Sequence, residues 1–374
     1  MNTYPSLDDL LTRAVEDTAP AICARVYWKG ETIYTACRGW LDPDTRKRPV
    51  QSDTLFDLAS VSKLFTTVTF MTLVEEGRLS LDQPVCAVLS QFSGLRPIRP
   101  YEDPLHWGDY VHPEEPEGVL VDASAVTFRN LLAHNSGLPA WRAFKDQPDA
   151  NSARRMALEC DFFYPTGRRV VYSDVGLILT GMAVEQVSGL RLDEAVRQRV
   201  CVPLGLHQTG YLPLAGQPYD TSNIAPTELC AMRNYRVVGE VHDESTWRLG
   251  GIAGHAGVFS SAPEMERFGQ ALLAGGAPLL GPASLAEMTR LQAQDGSVRR
   301  GIGFALRSPD PDSFSHPFSE ASFGHTGFTG TSLWVDPDAR LVVVLLTNRV
   351  YFGRNAEAIT RLRVNFHGAV LKVI

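Results

Sequence analysis

The sequence predicts an α+β fold in which both ends of the chain build one α/β domain and a mostly helical domain is inserted between them. Two strand-like runs near the start, 21–28 and 31–38, meet at Lys29-Gly30, which is typical of a β-hairpin. Strand-like runs return only after residue 300, and helical patterns fill much of the middle. The predicted first domain comprises residues 1–80 and 246–374, and the predicted inserted domain comprises residues 81–245.

The first part of the chain contains two predicted helices. Residues 6–18 begin with Ser6, which can cap a helix, and continue with an apolar stripe. Residues 60–76 carry apolar side chains at helical spacing and end at Gly77, a common helix stop. This periodicity predicts a buried helix with Ser60 at its head.

The middle of the chain opens with a proline-rich segment, 95–125, that mixes acidic and aromatic residues. We interpret it as a long irregular loop, and such loops in compact domains are often functional. Residues 202–245 are again rich in loop signals. Between these two segments, helices are predicted at 128–134, 150–160, 174–188 and 192–199.

The C-terminal part alternates between helical and strand-like patterns. Residues 341–346 are apolar without interruption, which predicts a central strand covered on both faces. Helices are predicted at 262–274, 282–293 and 354–370, and strands at 301–307, 321–326, 331–336 and 341–347.

The composition is that of an ordinary globular protein. Hydrophobic residues make up 44% and charged residues 21% of the 374 residues, and the formal net charge is −7. No basic cluster argues for nucleic acid or an anionic membrane surface. The N-terminus lacks the apolar core of a signal peptide, and no run is long enough to span a membrane. The chain as given is expected in the cytoplasm, or in the periplasm or outside the cell if a leader has been removed.

Cysteines and histidines give no sign of a metal or another cofactor. The six cysteines show no Cys-x-x-Cys spacing, and Cys23 and Cys37 fall on neighbouring strands where a disulfide would be strained, so free thiols are predicted. His134, His242 and His255 lack the helical spacing of metal ligands. His134 and His255 are expected to donate hydrogen bonds to backbone groups in glycine-rich turns.

Ser60-Val61-Ser62-Lys63 is the stretch that carries the most chemical information. Residues three apart share one face of a helix, so the amine of Lys63 can reach the hydroxyl of Ser60 and take its proton. This pair is the minimum for acyl-enzyme chemistry without a histidine triad. Alone the pattern is loose, because Ser60 could equally be a helix cap and Lys63 a solvated residue.

Two further clusters follow in chain order. Tyr172-Ser173-Asp174 precedes an apolar helical run, and Gly324-His325-Thr326-Gly327 closes a predicted strand. Taken singly, the tyrosine would be a packing residue and the glycines would mark a hairpin turn. The order of the three clusters changes this interpretation.

The three clusters together resemble those of the serine penicillin-recognising superfamily, which includes class C β-lactamases, D-alanyl-D-alanine peptidases and related esterases. The superfamily patterns are Ser-x-x-Lys, Tyr-x-Asn or similar, and Lys-Thr-Gly or His-x-Gly. The resemblance implies a β-lactamase/transpeptidase-like fold, with an antiparallel sheet flanked by helices, and a serine nucleophile. It extends over at least residues 20–350, through segments that include Phe56–Ala59, Leu79–Val85, Leu131–Pro139, Gly239–Glu244 and Leu249–Gly257.

The chemistry assigns roles to the candidate catalytic residues. Ser60 needs a base in contact, and Lys63 can serve only when it is neutral, which burial beside other cations would favour. Tyr172 is the alternative base if Lys63 and His325 stabilise its phenolate, and the resemblance implies that it carries protons to the leaving group. The oxyanion would be held by the amide of Ser60 and, by resemblance, by the amide of Phe328.

The remaining candidate site residues belong to the third cluster or to two positions at which this sequence differs from the superfamily patterns. Thr326 and Gly327 are implied to bind substrate, and Gly327 allows close approach of the strand. Asp174 stands where class C enzymes carry asparagine, so it can accept but cannot donate, and it could hold Lys63 charged. His325 replaces the usual lysine, so its hold on a carboxylate is weaker and depends on pH. Arg349 could bind a carboxylate, or could be an ordinary surface arginine.

These features predict a serine hydrolase that acts on an ester or amide through an acyl-enzyme. An esterase or a peptidase-like enzyme fits the two departures best, and cell-wall muropeptide fragments are candidate substrates. The alternatives are a penicillin-binding or sensor-like protein that has lost turnover, and a β-lactamase proper. The expected partner is a small molecule or a short peptide or glycopeptide, and the sequence does not decide the oligomeric state.

Overall fold

The computed structural model describes residues 4–104, 106, 108–212 and 220–374. Its helices are α1 (Pro5–Asp17), α2 (Ser62–Glu75), α3 (Phe128–Leu132), α4 (Ala150–Leu158), α5 (Asp174–Ser188), α6 (Leu192–Val196), α7 (Val202–Leu204), α8 (Glu244–Arg248), α9 (Ala262–Leu273), α10 (Pro282–Thr289) and α11 (Glu357–Val373). Its strands are β1 (Ala21–Trp28), β2 (Glu31–Gly39), β3 (Phe56–Asp57), β4 (Leu95–Pro97), β5 (Tyr101–Glu102), β6 (Tyr110–Val111), β7 (Leu120–Asp122), β8 (Gly210–Tyr211), β9 (Leu229–Cys230), β10 (Tyr235–Arg236), β11 (Val258–Ser260), β12 (Ala293–Asp295), β13 (Val298–Arg300), β14 (Ala305–Leu306), β15 (Phe323–Thr326), β16 (Ser332–Asp336) and β17 (Leu341–Thr347).

An eight-stranded sheet organises the fold, in the order β12-β13-β14-β15-β16-β17-β1-β2. Each neighbouring pair runs antiparallel. Strand β17 pairs with both β16 and β1, so the last strand in the chain lies beside the first. The prediction of an antiparallel sheet that both ends of the chain build is confirmed.

Strand β17 contributes to a separate core on each face of the sheet. Val342 and Val344 pack into the core that α2, α5 and α9 also line. Leu341 and Val343 pack into the core formed with α1 and α11. All the residues of β17 are buried, so the prediction of a central strand covered on both faces is confirmed.

Three predicted elements differ from the structure. The segment 95–125 contains two short antiparallel ribbons, in which β4 pairs with β7 and β5 pairs with β6. Helix α10 ends at Thr289, and the hairpin of β12 and β13 begins where the prediction continued the helix. The strand expected at 301–307 is reduced to β14, because Gly303 with its φ of 72° turns the chain before it.

The helices of the middle segment pack against the same core as α2. Helices α3, α5 and α6 contribute buried residues to it, and the division into two domains at residues 80 and 246 stays a prediction. In the part of the chain that the structure describes, no single helix has the length and apolar character of a membrane span; α5 and residues 192–204 meet that test only as a pair bent by 79°.

Candidate active site

Ser60 lies in a short 3-10 turn, Ala59–Val61, between strand β3 and helix α2, so the α-helix begins at Ser62 and not at Ser60 as predicted. Ala59, the residue before it, has a φ of 46°, a left-handed conformation that is costly for a residue with a side chain. The buried Asp57 carboxylate holds this turn, because it accepts the N–H of Ala59 at 2.8 Å and that of His242 at 2.6 Å. Burial raises the pKa of Asp57, and the two amide hydrogen bonds oppose that rise.

The Lys63 ammonium is buried completely and touches three oxygen atoms. It donates to the Ser60 hydroxyl at 2.9 Å and to the carbonyl oxygen of His255 at 3.2 Å. Its Nζ lies 2.8 Å from a carboxylate oxygen of Asp174. The three N–H groups of an ammonium thus all have an acceptor, and one acceptor is the hydroxyl expected to react.

The charge state of Lys63 follows from these contacts. Burial by itself would lower the pKa of Lys63, but the Asp174 carboxylate and the Tyr172 hydroxyl raise it above the ordinary value of 10.5. Of the two alternatives that the sequence left open, the structure thus favours a charged Lys63 held by Asp174. A lysine in that state cannot accept the proton of Ser60.

The Tyr172 ring is enclosed by four basic side chains. Lys63 Nζ lies 4.7 Å from the ring centroid and the Arg300 guanidinium carbon lies 5.1 Å from it. The rings of His134 and His325 lie 4.7 and 5.8 Å away, centroid to centroid. The phenol oxygen is buried and has no hydrogen-bond acceptor or donor of good geometry among the described residues. Two cations therefore flank a phenol whose oxygen is free to exchange a proton.

His325 is a neutral ring in this arrangement. Its Nδ1 donates to the carbonyl oxygen of Thr326 at 2.8 Å, and its Nε2 is buried without a partner in the described structure. Burial lowers its pKa well below the ordinary value, and the positive charges of Lys63 and Arg300 lower it further. His325 thus cannot supply the permanent charge that a lysine in this position would.

Hydrogen bonds tie the turn after strand β15, residues 327–331, to the residues before Ser60. Thr329 Oγ1 donates to the carbonyl oxygen of Asp57 at 2.7 Å, and Thr331 Oγ1 donates to that of Leu58 at 2.8 Å. A Cβ atom on Gly327 would lie 2.3 Å from the Leu58 oxygen, so only glycine allows this approach.

The backbone N–H groups of Ser60 and Phe328 are free donors on this shared surface. Within the described residues, neither one donates to a protein acceptor. The Phe328 side chain is 38% exposed, and its ring stacks against His242 at 5.7 Å. Two backbone N–H groups without a protein acceptor, next to a nucleophile, can form an oxyanion hole.

Arg349 does not reach the cleft, contrary to the expectation that it could bind a substrate carboxylate. It is buried, and it donates to the carbonyl oxygens of Phe328, Arg354 and Asn355 at 2.7, 2.7 and 3.0 Å. The guanidinium therefore supports the turn from behind. The arginine that lines the cleft is Arg354, which pairs with Glu228 and Glu244.

A cavity of about 300 Å³ opens in front of Ser60 and Tyr172. Both apolar and charged side chains line it. A larger cavity of about 660 Å³ lies elsewhere and does not include Ser60. The residues that line the first cavity besides Ser60 and Tyr172 are Ala59, Pro104, Ala140, Trp141, Lys145, Asp174, His242, Asp243, Glu244, His255, Ala256, Phe328 and Arg354.

The two histidines that were expected to donate to backbone groups make other contacts. His134 Nδ1 accepts the N–H of Ser173 at 3.0 Å. His255 Nε2 lies 3.0 Å from an Asp243 carboxylate oxygen and 3.2 Å from the Thr246 hydroxyl. Burial raises the pKa of Asp243, but His255 outweighs it and leaves that pKa well below the ordinary value. The ionised Asp243 thus fixes the segment whose carbonyl binds Lys63.

Arg300 and Arg354 are site residues that sequence reasoning missed. Both stand on elements whose local pattern gave no functional signal, namely the end of β13 and the segment before α11. Charged residues in unpredicted hairpins and loops are ordinary surface features when the chain is considered alone. Only the tertiary fold brings Arg300 to the Tyr172 ring and Arg354 to the cavity wall.

The fold and the contact between a buried lysine and the Ser60 hydroxyl define a class of serine hydrolases that need no histidine–aspartate pair. A family model described as Beta-lactamase matches residues 7–366, and the chain belongs to that family. The predicted serine hydrolase of a β-lactamase-related, penicillin-binding-protein-like type is thus confirmed at the level of the family.

Known relatives and solved structures agree with this assignment. A putative D-alanyl-D-alanine carboxypeptidase of Salmonella schwarzengrund is 27% identical over 323 residues, which are 80% of this chain and 70% of the relative. The structure of EstCE1, described as a hydrolase with promiscuous acyltransferase activity, superposes with a TM-score of 0.74 at 21% identity, covering 98% and 97% of the two chains. An octameric penicillin-binding protein homologue from Pyrococcus abyssi gives a TM-score of 0.73 at 18% identity, covering 99% and 77%.

Proposed function

We propose that this protein hydrolyses carboxylic esters through an acyl-enzyme on Ser60. The observation that carries the proposal is the 2.9 Å contact between the Ser60 hydroxyl and an ammonium that is completely buried. A buried lysine loses its hydration, so its placement must be explained by the groups that it touches, and one of these is the Ser60 hydroxyl.

The proposed proton path runs through Tyr172. Because Asp174 holds Lys63 in its charged form, Lys63 fixes the Ser60 oxygen and does not take its proton. In this step Tyr172 acts as its phenolate, which Lys63 and Arg300 flank. The proton moves from Ser60 to the phenolate oxygen while the serine oxygen adds to the substrate carbonyl carbon. The carbonyl electron pair moves onto its oxygen, next to the amides of Ser60 and Phe328, and Tyr172 then gives the proton to the leaving alcohol.

The residues of the cleft favour an ester substrate that carries no free carboxylate. Trp141 and Phe328 offer apolar walls for an acyl or alcohol group. Asp174 accepts but cannot donate to an amide carbonyl, and the neutral His325 gives no fixed charge for a terminal carboxylate. Arg354, the arginine on the rim, is already paired with two carboxylates.

A D-alanyl-D-alanine carboxypeptidase is the second candidate. It is supported by the description of the relatives at 27% identity and by the presence of Lys145 and Arg354 on the cleft wall. A peptide with a free C-terminal carboxylate would need at least one of these cations to turn toward it. The two candidates therefore differ in whether a terminal carboxylate helps or hinders turnover.

The test uses the whole chain and a Ser60→Ala variant. A fluorophosphonate should add one adduct to Ser60 in the wild type and none in the variant, as read by intact and peptide mass. Turnover of p-nitrophenyl acetate and butyrate should exceed release of D-alanine from diacetyl-L-lysyl-D-alanyl-D-alanine. Preferred cleavage of the peptide would favour the second candidate, fast nitrocefin hydrolysis a β-lactamase, and a burst without steady turnover a sensor-like protein.

The Asp174→Asn variant should shift the alkaline limb of the pH–rate profile to lower pH. Asp174 raises the pKa of Lys63, so the charged lysine persists until the pH exceeds that raised value. Without the carboxylate, burial becomes the main influence on the pKa of Lys63 and lowers it, so the lysine loses its proton at lower pH. The stability that this pairing contributes is present below the unfolded-state pKa of lysine and disappears as pH rises through the folded-state value.

The measurement is kcat/KM for a p-nitrophenyl ester from neutral to alkaline pH, together with the melting temperature over the same range. Asp193→Asn, which removes an acidic group from helix α6 away from the cleft, is the matched control. An alkaline limb that stays in place in Asp174→Asn would show that Asp174 does not set the charge of Lys63.

Replacing Arg300 with glutamine should lower kcat/KM for the ester about tenfold or more. Its guanidinium faces the Tyr172 ring and has no carboxylate partner among the described residues, so it is an uncompensated positive charge beside the proposed base. The neighbouring Arg299 instead pairs with Glu320, so Arg299→Gln is the matched control and should keep its activity. Equal rates for the two variants would remove Arg300 from the proposed mechanism.

A further inference from the structure

Arg363 lies behind the turn that carries the free amide of Phe328. It belongs to helix α11, it is buried, and its Nη2 donates to the carbonyl oxygens of Gly327 at 3.0 Å and Thr331 at 2.8 Å. No carboxylate among the described residues pairs with its guanidinium, and its Nε has no hydrogen-bond partner there. Among the described residues, this buried cation thus contacts two backbone carbonyls and the ring of Phe314, whose centroid lies 5.8 Å from the guanidinium carbon.

The carbonyl of Gly327 and the N–H of Phe328 belong to the same peptide group. When a cation donates to the oxygen of an amide, electron density moves toward that oxygen and the N–H becomes a stronger donor. The Phe328 N–H has no protein acceptor in the described structure, so the effect is available to a ligand.

A second buried guanidinium binds the next carbonyl along the chain. Arg349 Nε donates to the Phe328 oxygen at 2.7 Å, and its guanidinium carbon lies 4.4 Å from the centroid of the Phe328 ring. Burial lowers the pKa of Arg363 to about 9 and that of Arg349 to about 10, and the repulsion from Arg349 contributes to the first value. Two buried cations therefore lie behind one short turn. Their burial opposes folding, but their positive charge stabilises negative charge that develops next to the turn.

We propose that Arg363 is a positioning residue for the oxyanion hole: it polarises and orients the Gly327–Phe328 peptide so that the Phe328 N–H stabilises the negative charge on the substrate oxygen. This role rests on the proposed attack of Ser60 on an acyl carbon. As Ser60 Oγ bonds to that carbon, the π electron pair moves to the carbonyl oxygen and the serine proton moves to the phenolate oxygen of Tyr172. The charge of Arg363 acts through the peptide and never touches the substrate.

The competing explanation is purely structural, in which Arg363 only clamps helix α11 to the sheet. The two explanations differ in what a substitution changes. A clamp affects the melting temperature, whereas a polarised oxyanion donor affects the transition state more than the bound substrate. Acylation rate, KM and the affinity for a boronic acid separate these effects, because a boronate on Ser60 places an oxygen in the oxyanion hole.

The experiment compares Arg363→Met and Arg363→Lys with two controls on the same helix. Arg361→Met removes an exposed arginine whose one carboxylate partner among the described residues is Glu357, and Leu362→Val weakens the packing of α11 without touching the turn. For each protein we would measure the rate of Ser60 acylation by a p-nitrophenyl ester, the KM, the inhibition constant of phenylboronic acid and the melting temperature.

Arg363→Met is expected to lower the acylation rate about tenfold and to weaken phenylboronic acid binding in proportion, with KM nearly unchanged. Arg363→Lys, which keeps the positive charge, should restore part of the acylation rate and part of the phenylboronic acid affinity. It also provides the test if the methionine variant does not fold. Leu362→Val should lower the melting temperature and leave the acylation rate unchanged. Full acylation rates in folded Arg363 variants would overturn the proposal, whereas a wild type without any Ser60 adduct would overturn the proposed function first.

Discussion

Replacing Lys63 with methionine should lower kcat/KM for a p-nitrophenyl ester by about 10⁴-fold or more. The ammonium holds the Ser60 oxygen at 2.9 Å and flanks the Tyr172 ring at 4.7 Å, so one substitution removes both the orientation of the nucleophile and a charge beside the proposed base. Methionine keeps most of the volume of the side chain, and the pocket that receives it is completely buried, so packing is largely retained.

The rate of adduct formation and a control variant test the role of Lys63. The fluorophosphonate adduct on Ser60 should form much more slowly in Lys63→Met, since attack on phosphorus requires the same nucleophile. Lys29→Met, which removes a lysine from the β1–β2 turn, should behave like the wild type in both assays. If Lys63→Met keeps its activity within tenfold of the wild type, Lys63 has no part in the chemistry and Ser60 is activated by another group.

The loss of the lysine also leaves Asp174 without its buried partner. Its carboxylate is 22% exposed on the side-chain scale and can recover some hydration, so we expect the folded protein to survive. The double variant Lys63→Met with Asp174→Asn should be more stable than Lys63→Met alone and no more active. Recovery of stability without recovery of turnover would separate the structural and the chemical contributions of the ion pair.

The parts of the site that the sequence predicts are those that depend on local geometry. Ser60 and Lys63 are three residues apart, so helical spacing predicts their contact, although Ser60 lies in the short 3-10 turn Ala59–Val61 that precedes α2. The centrality of β17 follows from a run of apolar residues that only a doubly covered strand can bury. The position of Gly327 was predicted through its motif, and the close approach to Leu58 supplies the physical reason.

The parts that the sequence could not predict depend on distant contacts. The sequence left open whether Lys63 is neutral or is held charged by Asp174, because the deciding contact forms only in the folded chain and burial alone gives the opposite direction. Arg363 and Gly327 are brought together by the docking of α11 on the sheet. Arg349, which follows a strand end, was predicted either to bind a carboxylate or to be an ordinary surface arginine, but it is buried and three carbonyls accept hydrogen bonds from its guanidinium.

The hairpin of β12 and β13 could not be predicted for a different reason. Its residues are mostly polar and half-exposed, so no apolar period distinguishes a short edge strand from the end of helix α10. Yet this hairpin carries Arg300 to the face of the Tyr172 ring. An element with little sequence signal thus contributes one of the two cations beside the phenol.

Gly327→Ala should be the most damaging substitution that changes no polar side chain in the site. The new Cβ atom would lie 2.3 Å from the carbonyl oxygen of Leu58 and 2.2 Å from the hydroxyl of Thr331, distances that no packed carbon atom tolerates. The hydroxyl can rotate away, but the Leu58 oxygen belongs to the backbone just before Ser60. The turn must therefore move away from the nucleophile, and the Phe328 N–H moves with it.

We expect Gly327→Ala to lower kcat for the ester by about 10²- to 10³-fold, which is the effect of losing one oxyanion donor, with a much smaller change in KM. Gly368→Ala is the matched control, because a Cβ at this helical glycine meets no atom within 4 Å and should leave kcat unchanged. Reaction of Ser60 with a fluorophosphonate should slow in parallel, since its phosphoryl oxygen needs the same donor. A Gly327→Ala protein with wild-type kcat and a displaced turn would show that the second oxyanion donor is an amide other than that of Phe328.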